Sequence, residues 1–228
     1  MYITPLFKNE GSRLNCENYR PISKTPALCR IFETAVRLKL EEVVSNKLSN
    51  FQHGFRHNHS TITNLLFTYE YIFKKINDNI NCDVLYIDFS KAFDKIPTDI
   101  LLSKLNKLSV PNNLIKLIFA LLDNRKQIVR IGGSDSEPLE ITSGVPQGSP
   151  LSPTLFNLFI DDLLRLKFSS NICAYADDIK LFGLADGSLQ ADLDMIVNWS
   201  QSNGMLINIH KSCVMRFGRK KSKYQIFY

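Results

Sequence analysis

No apolar stretch in this chain is long enough to cross a bilayer. The longest runs, such as Leu117 to Leu122, fall far short of the ~20 residues that a spanning helix needs. No basic-then-apolar leader opens the chain, so a secretory route is not expected. The thiols agree. Cys16, Cys29, Cys82, Cys173 and Cys213 are odd in number and include no C-x-x-C pair. That excludes a disulfide framework, predicts no disulfide partner, and suits a reducing, intracellular compartment, nuclear or cytoplasmic. Zinc spacing is missing too. His53, His57 and His59 lie close together and His210 precedes Cys213, but neither set completes a tetrahedral site. There is no internal repeat and no flexible linker.

What the chain does have is enough apolar material for a core: 44% of its 228 residues are hydrophobic. Its net charge of +6 suits a polyanionic partner, without naming one. The basic residues are dispersed except for a cluster from Arg219 to Lys223.

Residues 1–26 are polar and extended, with Pro5, Pro21 and Pro26 excluding a helix. Leu28, Ile31, Phe32, Ala35 and Leu38 recur at helical spacing and predict a helix over about 27–47. Ser60 or Thr61 can cap a second helix, striped by Ile62, Leu65, Leu66, Tyr69, Phe73 and Ile76. Residues 82–88 are rich in β-formers and predict a buried strand. Helices are expected over about 98–108, 111–123 and 154–166, and another around Leu189 to Val197. A strand is expected at 127–131, and a closing strand pair at 205–209 and 213–217. Helices mixed with an antiparallel sheet make an α+β fold.

The stretch that carries chemistry is 171–182, NICAYADDIKLF. Two runs of strand formers flank Asp177 and Asp178, so the aspartates are expected at a β-hairpin tip. Neighbouring carboxylates repel unless a cation lies between them, and a hard divalent ion suits oxygen ligands. Asp88 ends the strand Val84-Leu85-Tyr86-Ile87. Alone it reads as a turn or cap residue; beside the hairpin it becomes a third metal ligand. Asp94 reads as structural. A second adjacent pair, Asp161-Asp162, lies in a helical run where Asp161 can pair with Arg165 at i,i+4, and reads as a solvated face. The loop SGVPQGSPLSP, residues 143–153, has glycines that permit close backbone approach and prolines that stiffen it. Alone it would pass for an ordinary helix lead-in.

Taken together these blocks carry a family resemblance. PLFKNEGS with NYRPIS, QHGFRHNHSTITNLL, DVLYIDFSKAFDKIP, SGVPQGSPLSPTLFNLFIDDL, AYADDIKLF and NWSQSNGMLINIHKSCVMRFG follow one another in order. The chain resembles the reverse transcriptase domain of non-LTR (LINE-like, jockey-type) retrotransposons. That resemblance implies a right-hand polymerase palm, an antiparallel sheet with helices on one face, plus partial fingers and no thumb. It places fingers at 1–80 and palm at 81–228, with a helical insertion at about 98–125.

The resemblance also implies site residues. Asp88, Asp177 and Asp178 would hold two Mg²⁺ ions, with Mn²⁺ a substitute, and Phe89 would lend a backbone carbonyl. Phe93 would pack under the sugar of the incoming nucleotide, and Gln147 and Gly148 would contact the dNTP. Lys8 and Arg20 would face the triphosphate, and Lys211 would protonate the departing pyrophosphate. The partners implied are an RNA template, a DNA primer and dNTPs. A catalytically inactive or domesticated nucleic-acid binder would keep the same blocks. A two-metal nuclease would keep the carboxylates and leave the PQG loop unexplained. Arg216, Arg219, Lys220, Lys221 and Lys223, at the end of the last palm block and beyond it, are available to grip phosphates.

Overall fold

The structure is a computed structural model that describes residues 1–218. The basic cluster at 219–223 lies outside the described residues. By contacts the chain forms two compact units. One comprises Met1–Lys47 and Phe93–Phe156, the other Leu48–Ala92 and Asn157–Tyr228. The helix over 61–77 packs on the second unit's sheet.

The first unit opens with a hairpin, β1 (Tyr2–Phe7) and β2 (Tyr19–Lys24). Pro5 and Pro21 face each other in it. Proline cannot donate to a ladder and is tolerated where no partner needs its N–H. Here β2 is the outer strand, and β1 meets β4 (Arg125–Ile131) only at Tyr2 and Ile3, short of Pro5. The short strands β5 (Ser134–Asp135) and β6 (Leu139–Ile141) complete this sheet. Helix α1 (Ala27–Val44) buries Val36, Leu40 and Val44. Helices α3 (Thr98–Lys107) and α4 (Asn112–Leu122) each begin directly after a proline, as the sequence predicts.

The second unit is built on the antiparallel sheet β7-β8-β3-β9, made of β3 (Cys82–Ile87), β7 (Asn171–Tyr175), β8 (Asp178–Leu184) and β9 (Cys213–Phe217). Helix α2 (Thr61–Asn77) starts at a capping box, in which Ser60 and Thr63 satisfy each other's backbone N–H. Its Ile72 packs with Cys82, Val84, Cys173 and Phe182 on one sheet face. On the other face a Cβ at Gly183 would come 3.3 Å from Leu189, the first residue of α6 (Leu189–Ser202). The fold class stands, and helical cover extends to both faces of this sheet. Helix α5 (Ser152–Ile160) runs on into a short 3-10 turn at Leu163–Arg165.

Two expectations are corrected. Residues 205–209 and 213–217 do not pair with each other. Both sit beside the β3 segment: β9 against Cys82–Tyr86, and Ile207 in a lone bridge to Phe89. A buried central strand has room for partners on both edges, and both segments lie along one of them. Asp161 is not on a solvated face, although its neighbour Asp162 is exposed. Asp161 is buried and accepts from the Ser49 N–H as well as Arg165, and Asp162 accepts from the indole N–H of Trp199 at 3.0 Å.

Arg216 is engaged within the fold. Its guanidinium makes two 2.7 Å bonds to the Asp83 carboxylate, which is 1% exposed. Arg216→Ala would strand that carboxylate in the sheet interior. The expected loss is about 3 kcal/mol, the low end for a broken buried pair because the arginine side is solvated. Urea unfolding should show it; a loss below about 1 kcal/mol would mean that water replaces the arginine.

Candidate active site

The hairpin tip forms as the sequence predicts. Tyr175 pairs with Asp178, leaving Ala176-Asp177 as a two-residue turn. On the other side β8 pairs with β3, ending at Ile87 opposite Ile179. One step further along that register, Asp88 stands opposite Asp178. Both belong to the side-chain set that includes Val84 and Phe182, so both project from the same face. With Lys180 and Lys211 they line one pocket of about 500 Å³.

Asp88 is held from the 208–212 turn. Its carbonyl accepts from the Asn208 N–H at 2.8 Å and its carboxylate from the Asn208 amide at 3.0 Å. Its own N–H donates to Ser212 Oγ at 3.2 Å, and that hydroxyl donates to the Asn208 carbonyl. Asn208 and Ser212 are functional neighbours that sequence reasoning missed. Their signal was the spacing Asn-x-x-Lys-Ser around Lys211. The bridge between Phe89 and Ile207 carries its hydrogen bonds on flanking residues, from Asn208 to Asp88 and from Ser90 to Leu206. In an antiparallel ladder that leaves the carbonyl of Phe89 directed to the opposite edge, the side of the hairpin.

Loss of hydration, and then the Asp88 carboxylate, push the Asp178 carboxyl above the usual range; Lys180 and Lys211 pull the other way. Lys180 is buried, donates to Asn64 Oδ1 at 2.6 Å, and is itself pushed down by burial. Asp88, Asp178 and Lys211 are therefore brought together. Asp177 occupies the turn next to them. Among the described residues, no three His, Cys, Asp or Glu side chains gather closely enough to ligate one ion.

The nucleotide residues implied by the resemblance lie in the first unit. Phe93 stacks on Phe156, with centroids 4.6 Å apart and planes 17° from parallel. Gln147 donates to Asp94 Oδ1 at 2.9 Å and its carbonyl accepts from the Ser23 N–H. Asp94 thus fixes the amide of Gln147, in keeping with the structural role expected of it. Gly144 has φ +79, and a Cβ there would fall 2.5 Å from the Asp94 carbonyl oxygen. Gly148, at φ +108, lies over the Ser23 backbone in the same way. Arg20 is exposed on β2, opposite Leu6. Lys8 is exposed as well and donates to the Glu17 carbonyl at 2.7 Å.

The family described as reverse transcriptase (RNA-dependent DNA polymerase) matches residues 7–227. The chain is 30% identical over 211 residues to a probable RNA-directed DNA polymerase from transposon BS of Drosophila melanogaster, covering 86% of this chain and 23% of that protein. It is 30% identical to the RNA-directed DNA polymerase from mobile element jockey of Drosophila funebris, over 94% of this chain and 25% of the relative. The chain thus spans about a quarter of these relatives. Among solved structures, the apo telomerase of Candida tropicalis, truncated from its C-terminal domain, superposes with a TM-score of 0.64. The identity is 14%, covering 90% of this chain and 49% of that one. That likeness speaks for the fold alone. With a family match across nearly the whole chain and relatives from jockey-type elements, the chain belongs to the reverse transcriptase family, among those of non-LTR retrotransposons.

Proposed function

We propose that the chain carries out RNA-directed DNA synthesis, adding deoxynucleotides from dNTPs to the 3′-hydroxyl of a DNA primer on an RNA template. The observation that carries this is the placement of Asp88 beside Asp178 on paired strands, in one pocket with Lys211. The donor set fits hard divalent cations: it is all oxygen, its two carboxylates repel each other, and Lys211 bounds it. Asp88 and Asp178, with Asp177 and the Phe89 carbonyl, would hold Mg²⁺, or Mn²⁺ in its place. Bound there, divalent cations would favour ionisation of the primer hydroxyl and offset charge on the leaving pyrophosphate.

The protein's own part is positioning and charge. Asn208 and Ser212 fix Asp88 before any substrate arrives, so no reorganisation is needed at the moment of reaction. Lys211 would give its proton to the pyrophosphate. Gln147 and Gly148 would meet the nucleotide, Lys8 and Arg20 its triphosphate, and template contacts would be to backbone and shape. No helix among the described residues is long and apolar enough to cross a membrane. The five unbridged thiols support a reducing intracellular setting, nuclear or cytoplasmic.

The test is single-nucleotide extension of a DNA primer on an RNA template at low salt, with Mg²⁺ or Mn²⁺. Metal-dependent incorporation of the templated dNTP is expected. Binding of primer–template without any incorporation would favour the inactive, nucleic-acid-binding alternative.

Sugar selection is a separate expectation. Phe93→Ala removes the ring stacked on Phe156 and should raise ribonucleotide use relative to dNTP by about tenfold in the kcat/KM ratio, the scale of one pocket contact. An unchanged ratio would leave Phe93 a packing residue.

A further inference from the structure

Ala176, the first turn residue of the hairpin, has φ +56. A non-glycine side chain is disfavoured there, and two-residue turns that need this conformation usually take glycine. The strain lies one residue before Asp177 and two before Asp178, so whatever holds Ala176 also sets those carboxylates.

What holds it is remote in sequence. Residues 51–54 run beside β7, with the Ala174 N–H donating to the Phe51 carbonyl and the His53 N–H to the Ala174 carbonyl, both at 2.8 Å. Gln52, 1% exposed, reaches the turn from this position. Its Oε1 accepts from the Ala176 N–H at 2.9 Å and from the Gly54 N–H at 2.7 Å, and its Nε2 donates to the Ala176 carbonyl at 3.1 Å. Both peptide groups of the strained residue are thus bonded to one side-chain amide. Gly54 lets the two backbones approach: a Cβ there would lie 2.3 Å from the Ala176 nitrogen. The Gly54 carbonyl is fixed in turn by the Asn157 amide at 2.8 Å. All of these residues belong to the second unit.

We infer that Gln52 is a positioning residue for the active site, and that its amide, seated by Gly54 and Asn157, locks the turn that presents Asp177 and Asp178. The inference rests on the cation-binding reading given above. It explains how an alanine can occupy a glycine position. A rigid turn keeps two like-charged carboxylates at fixed places before a cation arrives, and a misplacement of about 1 Å can cost 10²-fold in rate.

Three measurements on the full 228-residue chain decide it. In the parent, hydrogen exchange at the Ala176 amide should be slowed at least about tenfold relative to an open turn; exchange at the open-turn rate would overturn the inference. Mn²⁺ titration followed by electron paramagnetic resonance, without nucleic acid, gives the second. Gln52→Met keeps the volume and removes all three bonds. Its Kd for Mn²⁺ should rise at least about tenfold while thermal unfolding shows a folded chain. A folded Gln52→Met with parental Kd would overturn the role, and if that variant does not fold, the exchange rate in the parent decides together with the Asp178 titration. The third is Asp178→Asn, which should abolish specific Mn²⁺ uptake. Should the parent take up no Mn²⁺ through Asp178, the cation reading itself fails, and the inference falls with it even where the amide is protected.

Discussion

Asp178→Asn should lower single-nucleotide extension by about 10³-fold, the scale of several kcal/mol of lost charge stabilisation, while leaving the fold as stable as the parent's or more so. The two halves share one cause. Asp88 and Asp178 stand opposite each other on adjoining strands, and their mutual repulsion raises the Asp178 pKa after loss of hydration has done so. In a metal-free chain that raised value is a cost. The unfolded carboxylate ionises first as pH rises, so the folded state loses stability through the ordinary carboxylate range, and the loss is complete above the raised value. Asparagine removes it. In the presence of a chelator the variant should therefore gain stability over the parent at neutral pH and show no gain below the carboxylate range. Urea unfolding at both pH values checks this, beside primer extension with Mg²⁺. Parental extension by the variant would sink the metal assignment. Lost extension with lost stability would mean that Asp178 serves the fold.

The hairpin was legible because its information is local. Two runs of β-formers around Ala176-Asp177 set strand and turn together, and the apolar run before Asp88 marks a strand that needs partners on both edges. The helix starts at Thr61, Thr98 and Asn112 were equally local, written in one serine and two prolines. What stayed hidden depends on residues far apart in sequence. Asp161 looked like half of a surface i,i+4 pair because its other partner, Ser49, lies 112 residues away. Arg216 looked available for phosphate because Asp83 lies 133 residues away. Gln52 carried no signal of its role, for the Ala176 backbone it binds comes 124 residues later. Periodicity reports which face a residue occupies, and cannot report which distant backbone that face meets.

Lys211 gives the second large effect. It reaches the pocket of Asp88 and Asp178 from the turn after Asn208, where its N–H donates to the Asn208 carbonyl at 3.1 Å. The same turn holds Asp88 through Asn208 and Ser212, so carboxylate and ammonium are tied to one short segment. If the ammonium protonates the departing pyrophosphate, Lys211→Ala should slow the chemical step by about 10²-fold or more, the usual reach of a general acid. Truncation of an exposed side chain should leave stability within about 0.5 kcal/mol. Arginine separates proton transfer from charge. It restores the cation but hardly gives up its proton, so Lys211→Arg should recover only a small part of the rate. Pre-steady-state extension, which isolates chemistry from product release, is the measurement. Full recovery by arginine would leave Lys211 an electrostatic clamp on the pyrophosphate, and a rate unchanged in Lys211→Ala would remove it from the reaction.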